Sequence, residues 1–269
     1  MNELTRSVRL LAHRLSGEGA LPAEEIAAFA ALVGPSRRFA KGETLVSQGD
    51  RSGGVWLMED GWAFRQKMLD DGRRQITAIL LPGELTEKGP IMPFGTPDDI
   101  VAATDVVAQP IDRQQLLALL GARRRLLQSF LYEELTRHAV SREWLLLLGK
   151  RKATERLAYF FFETYARLNA MGMVRGAQFD LPLVQGDLAD IVGMSAVHLN
   201  RSLQQLRADN LVIWNGQQIE LPDPPALARL AYFNRDMIHI AEDFGRRAQT
   251  ANGNSAPARQ SQLASRPAG

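Results

Sequence analysis

The chain has 269 residues, 45% of them hydrophobic and 23% charged, an ordinary globular composition with room for two compact units. A formal net charge of +2 rules out a uniformly basic surface, so any nucleic-acid contact must rest on local clustering of charge. Cysteine is absent, which excludes disulfides, thiol redox sensing and cysteine-held iron-sulfur clusters within these residues.

In chain order, two short helices come first, from Leu4 to about Leu15 and from Pro22 to about Leu32, within an N-terminal helical segment 1–35. The pattern then changes to short apolar or alternating runs punctuated by turns: Arg38–Ala40, Thr44–Val46, Val55–Met58, Ala63–Arg65, Gln75–Leu80, Ile100–Ala103 and Val106–Ala108. Strands at this spacing predict a small barrel or sandwich over 36–120. Asp112 to Leu120 reads as helix with a break at Gly121, and a long helix over 121–149 follows. There Leu127, Leu131, Leu135, His138 and Leu145 recur at three- and four-residue steps, the spacing of a seam that packs on another helix. His138 has two readings, a packed or hydrogen-bonded side chain and a proton or metal switch. Gly149-Lys150-Arg151-Lys152 marks a hinge and a basic spot, read either as phosphate contacts or as a solvated helix end. Ala153 to Asn169 is helical, with Leu157, Phe160, Phe161 and Leu168 on its inner side.

The densest signal lies from Gln185 to Leu221. Gln185 to Val192 is a helix burying Leu188, Ala189 and Val192; Gly193 ends it, and Ser195 is placed to cap a second helix from Ala196 to about Ala208. That helix turns Leu199, Leu203 and Leu206 inward and leaves Val197, Asn200, Arg201 and Gln204 on the opposite face. Those four side chains suit a thymine methyl, an adenine edge, a guanine edge and a further base in the major groove, with His198 at the margin toward phosphates. Leu211–Trp214 and Gln217–Leu221 flank Asn215-Gly216, which predicts a two-residue type I′ hairpin. Helix, turn, helix and hairpin in this order predict a winged helix-turn-helix over 150–222 that binds double-stranded DNA. Asp223-Pro224-Pro225-Ala226 opens a C-terminal helical extension, 223–247, before a tail, 248–269, whose polar composition predicts disorder.

Gln185 to Ser195, followed by Ser195-Ala196-Val197-His198-Leu199-Asn200-Arg201-Ser202-Leu203-Gln204, resembles the Crp/Fnr family of bacterial transcription regulators, in the branch found mainly in alphaproteobacteria. Lys41-Gly42-Glu43, Gln48-Gly49-Asp50 and Val55 to Gly61 resemble the opening strands of that family's β-roll, where glycines turn the corners. The resemblance implies an α+β protein: an N-terminal double-stranded β-helix (β-roll or jelly roll) like a cyclic-nucleotide-binding domain, a long dimerisation helix, and a C-terminal winged helix-turn-helix. It further implies a homodimer on a palindromic operator, with RNA polymerase as a partner, Arg201 as the base-contacting arginine, and Ser195, His198 and Gln185 near phosphates. In cyclic-nucleotide binders of this family a Gly-Glu pair meets the ribose and cyclic phosphate, and a downstream Arg-Ser pair neutralises the phosphate. Gly83 and Glu84 match the first pair and are the candidate effector residues, read alternatively as a simple turn. The second pair is missing, since no arginine lies between Glu84 and Asp112; Lys88 is the cation there, and Thr96-Pro97-Asp98-Asp99 would repel a phosphate. No cofactor is therefore expected, neither a cyclic nucleotide nor a cysteine-ligated iron-sulfur cluster.

Catalysis and metal binding find little support. The four histidines are scattered, no Gly-x-Ser-x-Gly or phosphate-loop pattern occurs, and Asp70-Asp71, Asp98-Asp99 and Glu133-Glu134 read as solvated pairs. No run of about 18 apolar residues and no signal-peptide core occurs, so a cytoplasmic protein without a membrane partner is expected. A constitutive dimeric DNA binder with a scaffold-only β-roll, and a ligand-binding module acting through protein contacts, are the alternatives.

Overall fold

A computed structural model describes residues 4–16, 21–50, 55–86 and 96–234. The seven expected strands form as β1 (Arg37–Phe39), β2 (Thr44–Val46), β3 (Val55–Asp60), β4 (Ala63–Met68), β5 (Arg74–Leu80), β6 (Asp99–Ala102) and β7 (Val106–Ile111). They pair antiparallel in two sheets, ordered β1-β7-β3 and β2-β6-β4-β5. Phe39, Met58, Ala63, Leu80, Ile100 and Val106 are buried together in the core of this β-roll. Gly61 turns the β3–β4 corner at φ +81°, and a Cβ there would lie 2.2 Å from the Asp105 carbonyl oxygen, so only glycine fits.

Helices wrap one side of the roll. Helix α1 (Arg6–Leu15) starts where Thr5 Oγ1 accepts the Val8 amide, and α2 (Ala23–Ala30) follows Pro22. Asp112 caps α3 (Arg113–Ala122) by accepting the Gln115 amide. The chain does not break at Gly121, which lies inside α3; it breaks at Arg123, whose φ of −125° and ψ of 88° leave the helical region. Helix geometry tolerates an exposed glycine at modest cost, whereas a change of backbone region ends the hydrogen-bond ladder. Helix α4 (Arg124–Lys150) then runs for 27 residues, about 40 Å. Leu126 and Phe130 join Val8, Leu11, Leu116 and Leu120 in a second core. The expected seam divides: Leu127 packs against that core, while Leu131, Leu135 and Leu145 are 49%, 67% and 70% exposed. His138 is exposed and lies 3.5 Å from Glu134.

The C-terminal unit comprises α5 (Ala153–Ala170), β8 (Gln178–Asp180), α6 (Gln185–Val192), α7 (Ala196–Ala208), β9 (Ile213–Asn215), β10 (Gln218–Glu220) and α8 (Pro224–Leu230). Helix α5 is the hub, with Leu157, Phe160, Phe161 and Leu168 all buried beneath α6 to α8. The same core takes in Trp62, Phe64, Ile76, Ile79 and Leu81, so apolar packing runs without interruption from the roll into the C-terminal unit. Asp223 caps α8 by accepting the Ala226 amide. The extension beyond residue 234 and the tail 248–269 lie outside the described residues. No helix among the described residues is long and apolar enough to cross a membrane.

Candidate nucleic-acid interface

Local rules set the helix-turn-helix. Val184 N–H donates to Asp187 Oδ2 at 3.2 Å to open α6, and Gly193 closes it in the left-handed region, φ 61° and ψ 51°. Ser195 then caps α7, its Oγ accepting the His198 amide at 3.4 Å. Leu199, Leu203 and Leu206 are essentially fully buried. The opposite face presents Val197 (76% exposed) with Asn200, Arg201 and Gln204, all exposed. Positions 197, 200, 201 and 204 fall on one stripe of a 3.6-residue helix, so all four sit together on the solvent side. Ser195 and His198 are exposed at the α7 N-terminus and Gln185 at that of α6, where free amides favour an anion.

The hairpin forms one residue out of the expected register. Gln218 pairs with Asn215 and Ile219 with Trp214, so Asn215 belongs to β9 and the two-residue loop is Gly216-Gln217. Positive φ is needed only at Gly216 (+61°), the first loop position, as in a type II′ rather than a type I′ turn. The physical reason is a third strand absent from the sequence reading. β8 pairs along the other edge of β10, and Leu181 N–H donates to the Gln217 carbonyl at 2.7 Å, which fixes the hairpin from outside. Trp214 Nε1 adds a 2.8 Å hydrogen bond to the Gly216 carbonyl.

Two arginines that sequence reasoning did not single out, Arg156 and Arg74, hold this unit in place. Arg156 of α5 donates from Nη1 to the carbonyls of Val192 (3.0 Å) and Gly193 (3.3 Å), satisfying the end of α6 at the turn. Arg74 of β5 donates from Nη2 to Asp187 Oδ1 (2.7 Å) and from Nε to Asp190 Oδ2 (2.8 Å), both on α6. Neighbouring Gln75 donates to the Asp190 carbonyl at 2.6 Å. Arg151, in the basic spot after α4, stacks 3.9 Å over the Tyr232 ring, while Lys150 and Lys152 are exposed.

The Gly83-Glu84 turn is built differently from a ligand cassette. Gly83 has φ +80°, and a Cβ would lie 2.5 Å from Leu10 Cβ of α1. The Glu84 side chain is 1% exposed, and its Oε1 meets Arg14 Nη1 at 2.8 Å and Arg167 Nη2 at 2.9 Å. Burial alone would raise the Glu84 pKa; the Arg14, Arg167 and Arg137 charges outweigh it and hold the carboxyl well below the usual range. Arg14 also reaches Glu133 at 3.1 Å, and Arg137 reaches the same oxygen at 3.3 Å. Glu133 is thus a buried, paired carboxylate, not a solvated one, because α1 covers the face of α4 that carries it. Asp98 is likewise 9% exposed, 3.5 Å from Arg65 and 3.4 Å from Lys67 on β4. Cations thus reach the Thr96–Asp99 segment from a neighbouring strand. Lys88 lies outside the described residues. The Glu84 carboxylate is thus paired with two arginines, one from α1 and one from α5, within the protein itself.

A β-roll followed by a long helix and a winged helix-turn-helix defines a two-part DNA-binding regulator. Residues 36–123 match the family model of the cyclic nucleotide-binding domain, and residues 155–230 that of the Crp-like helix-turn-helix domain. The two matches together span more than half of the sequence, and the chain belongs to the Crp/Fnr family of transcription regulators. The transcriptional activator protein FnrA of Stutzerimonas stutzeri is 29% identical over 208 residues, covering 74% of this chain and 82% of FnrA. FnrL of Cereibacter sphaeroides, also a transcriptional activator protein, is 27% identical over 186 residues, 68% of this chain and 74% of its own length. The solved structure of FixK2 from Bradyrhizobium japonicum superposes with a TM-score of 0.66 at 25% identity, covering 74% of this chain and 98% of FixK2.

Proposed function

We propose that this regulator acts as a homodimer on a two-fold symmetric DNA site, with α7 of each copy in the major groove. Arg201 and Asn200 read base edges, Val197 meets a thymine methyl, Gln204 contacts a further base, and Gln185, Ser195 and His198 hold phosphates. The observation that carries this reading is the α7 face itself, where four adjacent side chains able to read bases stand in solvent while three leucines beneath them fix the helix. Residues 36–120 form the sensor, 121–149 the dimerisation helix and 150–222 the reader, and RNA polymerase is the further partner. The exposed Leu131, Leu135 and Leu145 supply the face that pairs α4 with its copy. Dimerisation would place two recognition helices about one DNA turn apart. The reading involves no catalytic step, no membrane and no resident cofactor, and it locates the protein in the cytoplasm. The pairing of Glu84 with Arg14 and Arg167 supports a reading without control by cyclic AMP, on which added cyclic AMP is expected to leave DNA affinity unchanged.

The test is a site selected from random DNA, then binding of wild type and Arg201→Ala at one fixed salt concentration. Loss of Arg201 should cost about 1–3 kcal/mol on the selected site and little on scrambled DNA. Equal losses on both sequences would remove Arg201 from base readout.

A further inference from the structure

Between the long helix α4 and the reader lies an elbow of two residues. Helix α4 ends at Lys150, Arg151 (φ −86°, ψ 151°) and Lys152 (φ −66°, ψ 154°) are extended, and α5 begins at Ala153. The elbow is soft by its own sequence. Gly149, exposed in the last turn of α4 with nothing within 4 Å of the place of a Cβ, loosens that turn. Arg151 N–H donates back to the Leu147 carbonyl at 3.2 Å and Lys152 N–H forward to Glu155 Oε2 at 3.1 Å, so each bond holds one helix end and neither crosses the elbow. Length magnifies any movement there. Helix α5 has 18 residues and is about 27 Å long, so a tilt of about 10° at its start moves its far end by about 5 Å, more than one base-pair step of about 3.4 Å.

The end of α8 reaches back to this elbow. Tyr232 and Phe233 close α8 in a Schellman arrangement, the Phe233 amide donating to the Ala228 carbonyl at 3.0 Å and the Tyr232 amide to the Arg229 carbonyl at 3.1 Å. That arrangement needs a left-handed residue and ordinarily takes glycine; here it holds Tyr232, at φ +51°. A bulky residue at this φ is strained and the side chain is 57% exposed, so neither backbone preference nor burial in the core accounts for a tyrosine. Its ring stacks on the elbow residue, with the Arg151 guanidinium carbon 3.9 Å from the ring centroid. Phe233 lies 5.2 Å from Tyr159 and 4.7 Å from Phe162, both on α5, and Tyr159 meets Trp144 of α4 edge-on at 5.4 Å. Two adjacent residues thus grip the elbow and the helix beyond it.

We propose that Tyr232 and Phe233 form a strap that fixes the angle of the α4–α5 elbow, making them positioning residues that set which spacing between half-sites the dimer accepts. The inference rests on the dimeric reading above. Tyr232 acts through Arg151 and touches no base. With the strap in place the elbow holds one angle and one spacing is favoured; without it the reader tilts, and neighbouring spacings become comparable.

The test uses the full chain and duplexes carrying two selected half-sites at the selected spacing and at one base pair more or less, with hydrogen exchange over residues 149–156 read in the absence of DNA. Tyr232→Gly removes the ring and relieves the positive φ, so native helicity should persist. It should speed exchange at the elbow at least about fivefold and cut the preference for the selected spacing at least about fivefold, with base discrimination within a half-site unchanged. Tyr232→Phe, which keeps a ring over Arg151, should behave as wild type, and Arg151→Met as Tyr232→Gly. A weakening of Arg151→Met that is equal at all spacings would make Arg151 a phosphate contact and overturn the strap. So would wild-type exchange and spacing preference in Tyr232→Gly, or a lowered thermal midpoint with the preference intact, since a ring that only stabilises the reader leaves spacing alone. A wild type that binds all spacings alike would remove the dimeric reading, and elbow exchange then decides the strap without DNA.

Discussion

Arg14→Met isolates the cluster that ties the sensor to the reader. The wild-type guanidinium bridges Glu84 at 2.8 Å and Glu133 at 3.1 Å, carboxylates that are 1% and 3% exposed. Methionine keeps most of the apolar stem and removes the charge. Stripping one partner from a buried ion pair costs about 3–5 kcal/mol when the remaining charge is left alone. Here each carboxylate keeps a second arginine, Arg167 for Glu84 and Arg137 for Glu133, and Leu81 N–H still donates to Glu84 Oε2 at 3.3 Å. The expected loss is therefore about 2–3 kcal/mol, between a fully orphaned charge and a single charged hydrogen bond. Urea unfolding followed by circular dichroism at pH 7 reads it as a lower midpoint at unchanged slope. Because the penalty comes from the stranded carboxylate, Arg14→Met combined with Glu84→Gln should be less damaging than the sum of the two single changes, with a coupling of at least about 1 kcal/mol. Strict additivity, or a single-mutant loss below about 0.5 kcal/mol, would refute the account.

Glu84 also sets a pH dependence. Its carboxyl is held below the unfolded value of 4.5, so it stabilises the native state above that value and loses this contribution as pH falls. The stability gap between wild type and Glu84→Gln should thus be present at pH 7 and shrink below about pH 4.5, as measured by thermal unfolding across pH. Gly61→Ala should cost at least about 3 kcal/mol, through a forbidden φ and a backbone clash, whereas Gly42→Ala, at φ +85° with nothing within 4 Å, should cost only about 1 kcal/mol. Paired Leu131→Asp and Leu135→Asp substitutions should leave the fold intact and give a monomer in analytical ultracentrifugation, with operator affinity down at least about 100-fold; a dimer that persists would place the interface elsewhere.

How far the sequence spoke depended on the range of the force that shaped each part. Gly193, Ser195 and the Leu199, Leu203, Leu206 stripe obey rules that span a few residues, so α6 and α7 were readable to within a residue. The strands of the roll were readable for the same reason, since period-two burial and glycine corners are local. The hairpin register was not, because its turn preference was overridden by β8, a strand more than thirty residues earlier in the chain. Nor was the role of Glu84. A Gly-Glu turn reads as a ligand cassette or a bare corner, and nothing near it in sequence announces Arg14 or Arg167.

Long-range ion pairs also join the two parts of this chain. Glu84 joins α1, the roll and α5, while Arg74 and Gln75 join the roll to α6, and both sets surround an apolar core shared by sensor and reader. Movement of α6 away from the roll therefore carries a cost in both packing and charge. Displacing α6 would expose Ile76 and Ile191 and break the charged hydrogen bonds to Asp187 and Asp190 together, so packing and electrostatics oppose the same movement.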